Sequence, residues 1–212
     1  MLHIKMFTFS PIEENTYVLW NDEKEAIIID PGCYHTYEKD ELQSFIDENG
    51  LQPKMLINTH CHLDHVFGEK FVAETWQLVP YIHPNEQQMM RLAEASGKMW
   101  SMPFVNYDGP LNFITPGEDI KLGKDSLATL FTPGHSPGHI CFYCAAQNFV
   151  IGGDVLFYNS IGRTDLPLGN HATLIESIKT KLFTLPDETI VYSGHGPKTT
   201  IGREKMHNPY LT

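Results

Sequence analysis

Three histidines and one aspartate within six residues, His60-Cys61-His62-Leu63-Asp64-His65, constrain this chain more than any other stretch of it. The run follows Met55-Leu56-Ile57, an apolar triplet that reads as a short buried strand. His60 and His62 are two apart, so in extended chain both imidazoles leave the backbone on one side. Asp64 and His65 come where the strand must give way to a turn, and they can reach a second point in space. Imidazole and carboxylate are ligands suited to zinc, iron or manganese. The run supplies two half-sites, and a metal needs further ligands from elsewhere.

Three single residues meet that need. His135 sits in Thr132-Pro133-Gly134-His135-Ser136-Pro137-Gly138-His139, Asp154 in Gly152-Gly153-Asp154, and His195 in Gly194-His195-Gly196. Each lies just past a predicted strand on a Gly-rich turn, where α/β folds place their sites. His60, His62 and His135 then make a three-histidine set, and Asp64, His65 and His195 a second. Asp154, with two carboxylate oxygens, can bridge them. Each metal keeps room for water, the mark of a catalytic centre. A water bridging two such ions is acidified toward neutral pH, so the hydroxide attacks without a protein base, oriented by Asp64 and Asp154. Asp30, closing a strand at Asp30-Pro31-Gly32, is expected to hold a ligand histidine from behind.

The 212 residues suit one α/β domain spanning 1–212. Fifteen basic against 26 acidic residues leave a net charge of −11, which argues against a nucleic-acid partner but not against an anionic small molecule beside bound cations. No apolar run is long enough to span a bilayer, and Met1-Leu2-His3-Ile4-Lys5 lacks the layout of a signal peptide. A cytoplasmic protein with no membrane partner is expected. Cys33, Cys61, Cys141 and Cys144 do not form a disulfide framework. Cys141 and Cys144 fall on a predicted strand with opposite-facing thiols and read as core.

Residues 2–9, 16–20 and 26–29 predict an antiparallel meander, with Glu13-Glu14-Asn15 in its first turn. Helices are expected over 36–49, with Thr36 as N-cap, over Val66 to Trp76, over Asn85 to Lys98 and over Ala172–Leu182. Further strands are expected at Leu78–Ile82, Leu127–Phe131, Ile140–Cys144, Phe149–Ile151 and Thr189–Tyr192. Residues 99–118 read as a long connector near the mouth of the site. His83 and His139 read as structural or exposed.

Taken in order, Asp30, His60-x-His62-x-Asp64-His65, His135, Asp154 and His195 resemble the signature of the metallo-β-lactamase superfamily. The resemblance implies a four-layer αββα sandwich with the metals at one edge between the sheets. Ile161-Gly162-Arg163-Thr164-Asp165-Leu166-Pro167, Ser193-Gly194-His195-Gly196-Pro197 and the Asn208-Pro209 ending are similar to the small glyoxalase II-like (hydroxyacylglutathione hydrolase-like) branch. Zinc β-lactamases tend to carry a cysteine where this chain has Asp154. That branch implies two divalent metal ions, zinc foremost with iron or manganese as substitutes, and hydrolysis of an acyl thioester such as S-D-lactoylglutathione.

A thiolate, with a pKa near ~8.5, also leaves without a proton donor, and no isolated acid is placed to serve an amine. Arg163 is the expected anion contact, and Tyr107 or Tyr158 could line a thiol pocket. The helical extension that supplies cationic groups for glutathione in full-length glyoxalase II proteins is replaced here by a short tail with Lys198, Arg203 and Lys205. Three other readings stay open: a mononuclear iron persulfide dioxygenase of the same superfamily, a lactonase or other ester hydrolase with low β-lactamase activity, and a non-catalytic flavoprotein-type partner domain. Oligomeric state is not legible.

Overall fold

Ala26-Ile27-Ile28-Ile29 is apolar at every position and all four side chains are buried, so the run needs cover on both faces. In the computed structural model, which describes residues 1–211, it lies in β3 (Glu25–Ile29). β3 pairs antiparallel with β2 (Glu14–Trp20), which pairs antiparallel with β1 (His3–Phe9). Glu14 and Asn15 belong to β2 rather than to the preceding turn. On its other side β3 runs parallel to β4 (Gln52–Ile57), with Ile29 opposite Ile57. Two short strands, β5 (Tyr81–Ile82) and β6 (Asn112–Phe113), complete a mixed six-stranded sheet in the order β1-β2-β3-β4-β5-β6. The strand expected over Leu78–Ile82 is thus reduced to two residues, and the connector 99–118 contains β6.

The second sheet runs β14-β13-β10-β9-β8-β7. Its members are β7 (Ile120–Leu122), β8 (Asp125–Phe131), β9 (Ile140–Cys144), β10 (Phe149–Gly153), β13 (Ile190–Ser193) and β14 (Thr199–Thr200). β10 is antiparallel to β9 and parallel to β13, with Gly153 opposite Ser193. A small hairpin, β11 (Leu156–Phe157) and β12 (Ser160–Ile161), follows β10. Sequence periodicity is silent on strands of two or three residues, and β7, β11, β12 and β14 carry no signal for that reason.

The helices begin where local hydrogen bonds allow. α1 (Thr36–Glu48) has His35, not Thr36, as N-cap. The Glu38 carboxylate reaches back to the backbone N–H groups of Tyr34 and His35, both at 2.8 Å, and so sets the start one residue earlier. α2 (Glu69–Trp76) starts three residues later than expected, because Leu63–His65 winds as a separate short turn and the Gly68 N–H is drawn to the Pro31 carbonyl at 2.7 Å. α3 (Gln87–Met99) follows a turn that begins at Pro84. α4 (His171–Ser177) opens into a wider π turn over Ile178–Leu182. There the Thr180 hydroxyl takes the Glu176 carbonyl at 2.8 Å and competes with the regular ladder. α5 (Ile201–His207) is the last helix among the described residues and has no sequence signal.

Two compact units result: residues 1–114 with 121–125, and residues 115–120 with the chain from 126 onward. In the first, Phe7, Val18, Ile28, Leu42, Ile46 and Leu56 pack the sheet against α1 and α2, and Cys61, Val66, Met89 and Met90 pack around α3. In the second, Val150, Leu174, Ile178, Leu182, Val191 and Ile201 form the core. The four cysteines are buried and form no disulfide among the described residues. No helix among the described residues is long and apolar enough to cross a membrane.

Candidate metal centre

In the first unit the parallel strands β3 and β4 end side by side, and their C-terminal ends carry Asp30 and the 58–65 loop. Asp30 adopts φ +50°, a left-handed conformation that aspartate tolerates better than most residues. This turns its carboxylate back under the loop. Oδ1 accepts the Thr59 N–H at 2.7 Å, and Oδ2 accepts the Thr59 hydroxyl at 2.6 Å. Oδ2 also lies 3.1 Å from His65 Nδ1.

These contacts fix two tautomers. A carboxylate only accepts, so His65 Nδ1 carries the proton and Nε2 the lone pair. The Thr59 hydroxyl has given its one hydrogen to Asp30. At 3.0 Å from His60 Nδ1 it therefore accepts, and His60 also carries its proton on Nδ1. One buried carboxylate thus readies both imidazoles to ligate through Nε2. The rings of His60 and His62 lie 4.8 Å apart, and those of His60 and His65 4.1 Å. His65 Nε2 is 3.9 Å from Asp64 Oδ2.

In the second unit the parallel strands β10 and β13 end with Asp154 and His195 just beyond them. His135 follows β8 on the Pro133-Gly134 turn. Its Nδ1 lies 2.8 Å from the Arg163 carbonyl, which can only accept, so here too the lone pair is on Nε2. Asp154 Oδ2 is 3.5 Å from His135 Nε2 and 3.7 Å from His195 Nε2. Those separations are too long for hydrogen bonds. They suit two ligand atoms on one cation, each about 2.1 Å from it.

The possible ligand atoms of His60, His62 and His135 all fall within 4.8 Å of one another, and so do those of Asp64, His65 and His195. Asp30, His60 and His65 form a third such group. The proton on Nδ1 of both histidines and the three donors on Asp30 mark that group as a support rather than a site. With the buried Asp154 carboxylate, the assigned lone pairs on His60 and His135 in one triad and on His65 in the other fit divalent cations.

Not every candidate joins the cluster. The Arg163 guanidinium faces its neighbour Asp165, with contacts of 2.7 and 2.8 Å, and its proximity brings the Asp165 carboxyl down to about 2. What Arg163 gives the centre is its backbone carbonyl. Tyr107 packs against the core of the first unit, and Tyr158 lies under the Arg203 guanidinium. His83 caps the turn before α3. His139 belongs to no triad, but its Nε2 accepts the Asp154 N–H at 3.1 Å while Nδ1 faces the Thr132 hydroxyl at 3.0 Å. It holds the backbone of the aspartate.

Three buried glutamates around the 58–65 loop were invisible in the sequence, where an acidic residue among polar neighbours reads as solvated. Glu14 Oε2 accepts the Thr16 hydroxyl at 2.8 Å, and Oε1 lies 3.8 Å from His65 Nδ1; burial pushes its carboxyl well above the ordinary range. A side chain on Gly32 would meet Glu14 Oε2 at 2.0 Å and the Asp64 carbonyl at 2.7 Å, so this close approach demands glycine. Glu86 Oε2 accepts the Cys61 N–H at 2.8 Å, between the two histidines. Glu69 Oε2 accepts from Asn58 Nδ2 at 3.2 Å, and the same amide donates to the His65 carbonyl at 3.1 Å.

Burial raises the Glu69 carboxyl to about 8, from an ordinary 4.5. Between those values the folded chain keeps a proton that the unfolded chain has released. The contribution of Glu69 to stability is therefore full below pH 4.5 and lost as pH rises toward 8. In chelator-treated protein, Glu69→Gln is expected to flatten part of the fall in unfolding midpoint between these limits. An unchanged slope would show that Glu69 is charged in the folded state.

Comparison with known proteins places this geometry. A family profile described as the metallo-beta-lactamase superfamily matches residues 10–195. The hydroxyacylglutathione hydrolase GloC of Haemophilus influenzae is 38% identical over 218 residues, covering 99% of this chain and 98% of that protein. Among solved structures, the BLEG-1 B3 metallo-beta-lactamase superposes with a TM-score of 0.91 at 38% identity, covering 99% of this chain and all of that one. TTHA1623, solved in a di-iron-bound form, superposes with a TM-score of 0.88 at 34% identity, covering 98% of this chain and all of that one.

Proposed function

We propose, from the premise that this chain belongs to the metallo-β-lactamase superfamily, that it is a metal-dependent hydrolase of acyl thioesters. Its fold is that of the family, with two mixed sheets flanked by helices. In this reading residues 1–212 act as one domain. His60, His62 and His135 would hold one divalent cation and Asp64, His65 and His195 another, with Asp154 available to both. Bound there, such a pair supplies Lewis acidity and a water activated near neutral pH. Imidazole and carboxylate accept zinc, iron or manganese. Zinc is the expected occupant, and the di-iron form of TTHA1623 makes iron its rival.

The observation that carries the reading is the Asp154 oxygen poised between His135 Nε2 and His195 Nε2. Each of those nitrogens falls in a different ligand triad. The protein's own residues then do three things. Asp30, Thr59 and the Arg163 carbonyl keep protons on the Nδ1 atoms, so the Nε2 atoms stay available as ligands. Asp64 and Asp154 set the orientation of a nucleophilic water. Glu14, Glu69 and Glu86 are fully buried and committed to holding backbone and ligands, so none serves as a proton donor to a leaving group.

A thiolate needs no such donor, with a pKa near ~8.5, whereas an amine does. This supports cleavage of a thioester with water to a carboxylic acid and a thiol. The name of the Haemophilus relative points to S-acyl glutathione as the substrate class. Metal analysis together with assays on S-lactoylglutathione, a β-lactam and glutathione persulfide tests it. About two metal ions per chain are expected, with thioester turnover well above β-lactam turnover. Iron near one equivalent with oxygen consumption on persulfide, or faster opening of the β-lactam, overturns the reading.

A further inference from the structure

The fully buried Glu204, on α5, has no part in the chemistry described above, yet its carboxylate is saturated with donors. Oε1 accepts from the Thr199 hydroxyl at 2.5 Å and from Arg203 Nη1 at 2.7 Å. Oε2 accepts the Asn159 backbone N–H at 3.0 Å and Asn208 Nδ2 at 2.9 Å. The same groups reach further into the β11–β12 hairpin. Arg203 Nη1 also donates to Asn159 Oδ1 at 2.8 Å, and Asn208 Nδ2 to the Ser160 carbonyl at 2.9 Å. The Arg203 guanidinium lies 3.7 Å from the centre of the Tyr158 ring. Three successive residues, Tyr158, Asn159 and Ser160, are therefore gripped by the C-terminal helix and the residue that follows it. Asn159 has φ +58°, so the tip is a tight turn of fixed shape.

The stem of that hairpin is where the second unit hangs its candidate ligands. Asp154 lies two residues before β11. Gly162, just after β12, donates to the Val155 carbonyl at 3.2 Å. A side chain there would lie 2.0 Å from the Asp154 carbonyl oxygen and 3.2 Å from His135 Cβ. The next residue is Arg163, whose carbonyl sets the His135 tautomer. The Leu156 carbonyl accepts the Ser193 hydroxyl at 2.7 Å, and the Gly194 N–H donates to the Gly153 carbonyl at 2.8 Å, which places His195. The Phe157 ring meets the His195 ring at 6.3 Å.

We infer that Glu204, with Arg203 and Asn208, is a positioning clamp for the metal site. It fixes the β11–β12 hairpin and, through it, the placement of His135, Asp154 and His195. Stability alone does not call for such an arrangement, since well-packed apolar residues fill a buried position at least as well as a buried ion pair. Four directional donors on two oxygens select one geometry instead. The inference rests on the metal-centre reading above.

The test measures zinc affinity by chelator competition, the visible spectrum of the cobalt-loaded protein, and the unfolding midpoint of the metal-free protein. Variants are Glu204→Gln, Asn208→Ala and, as a core control in the same unit, Leu182→Ala. The clamp variants are expected to weaken zinc about tenfold or more and to shift the cobalt spectrum. Leu182→Ala is expected to lower the midpoint and leave both metal readouts alone. Wild-type affinity in folded clamp variants, or an equal loss in Leu182→Ala, overturns the inference.

Should the variants not fold, the wild-type chain still decides. Linkage requires that zinc in turn slow hydrogen exchange at the Asn159 N–H, and exchange indifferent to zinc refutes the clamp. A wild-type protein that takes up neither zinc nor cobalt fails earlier, at the metal centre itself.

Discussion

Asp154→Ala is expected to lower thioester turnover by on the order of 10³-fold, above the 10–100-fold that loss of an outer hydrogen-bond partner costs at a metal site. Asp154 Oδ2 lies 3.5 Å from His135 Nε2 and 3.7 Å from His195 Nε2, so truncation removes a ligand atom from both sides of the centre at once. The backbone is not expected to move, because the Asp154 N–H stays on His139 Nε2 whatever the side chain. Removing a buried anion also removes its desolvation cost in the metal-free protein. Its unfolding midpoint should therefore hold or rise, as is common where a site is built at the expense of stability. Turnover at saturating metal, metal content and the metal-free midpoint separate these effects. A loss of tenfold or less with two ions retained would remove Asp154 from the ligand set. Asp154→Asn, which keeps the shape and loses the charge, should fall nearly as far.

The seven candidate ligands were legible because each stands on a feature that sequence displays: a dense His/Asp run, or a lone His or Asp on a Gly-rich turn after an apolar strand. The buried strand β3 and the alternation of strands and helices were legible for the same reason, since burial on both faces leaves a continuous apolar run. The supports were not legible. Glu14 lies in Glu13-Glu14-Asn15, a cluster that reads as a solvated turn, and only the tertiary fold places it beside His65. Glu69 and Glu86 sit at helix starts, where acidic residues are ordinary. The charge of Arg163 suggests an anion contact, whereas its neighbour Asp165 takes the guanidinium and His135 takes the Arg163 carbonyl. A backbone carbonyl has no residue type to betray it. The β11–β12 hairpin and α5 escaped because two-residue strands and a seven-residue helix carry too few positions for a period.

Asp30→Ala is expected to be the most damaging change outside the ligand set, for two separable reasons. It deprives the Thr59 N–H, the Thr59 hydroxyl and His65 Nδ1 of their acceptor in a site that is 1% exposed. Unsatisfied buried donors cost about 1–3 kcal/mol each before relaxation. Alanine also tolerates φ +50° less well than aspartate, at about 1–2 kcal/mol. A loss of roughly 3 kcal/mol or more in the metal-free protein is expected on these terms. Asp30→Asn separates stability from function. It keeps the volume and can still accept from the Thr59 N–H, but its amide presents a donor where His65 and Thr59 need an acceptor. Facing that donor, His65 turns to the tautomer with its proton on Nε2, the ligand atom, and Thr59 no longer commits His60. Metal affinity should then fall by about 10–100-fold, with a smaller loss of stability than in Asp30→Ala. Chelator competition on both variants, set against their metal-free unfolding midpoints, checks the split. If Asp30→Asn binds metal like the wild type, the carboxylate does not set the tautomers, and the case for His60 and His65 as ready-made ligands falls with it.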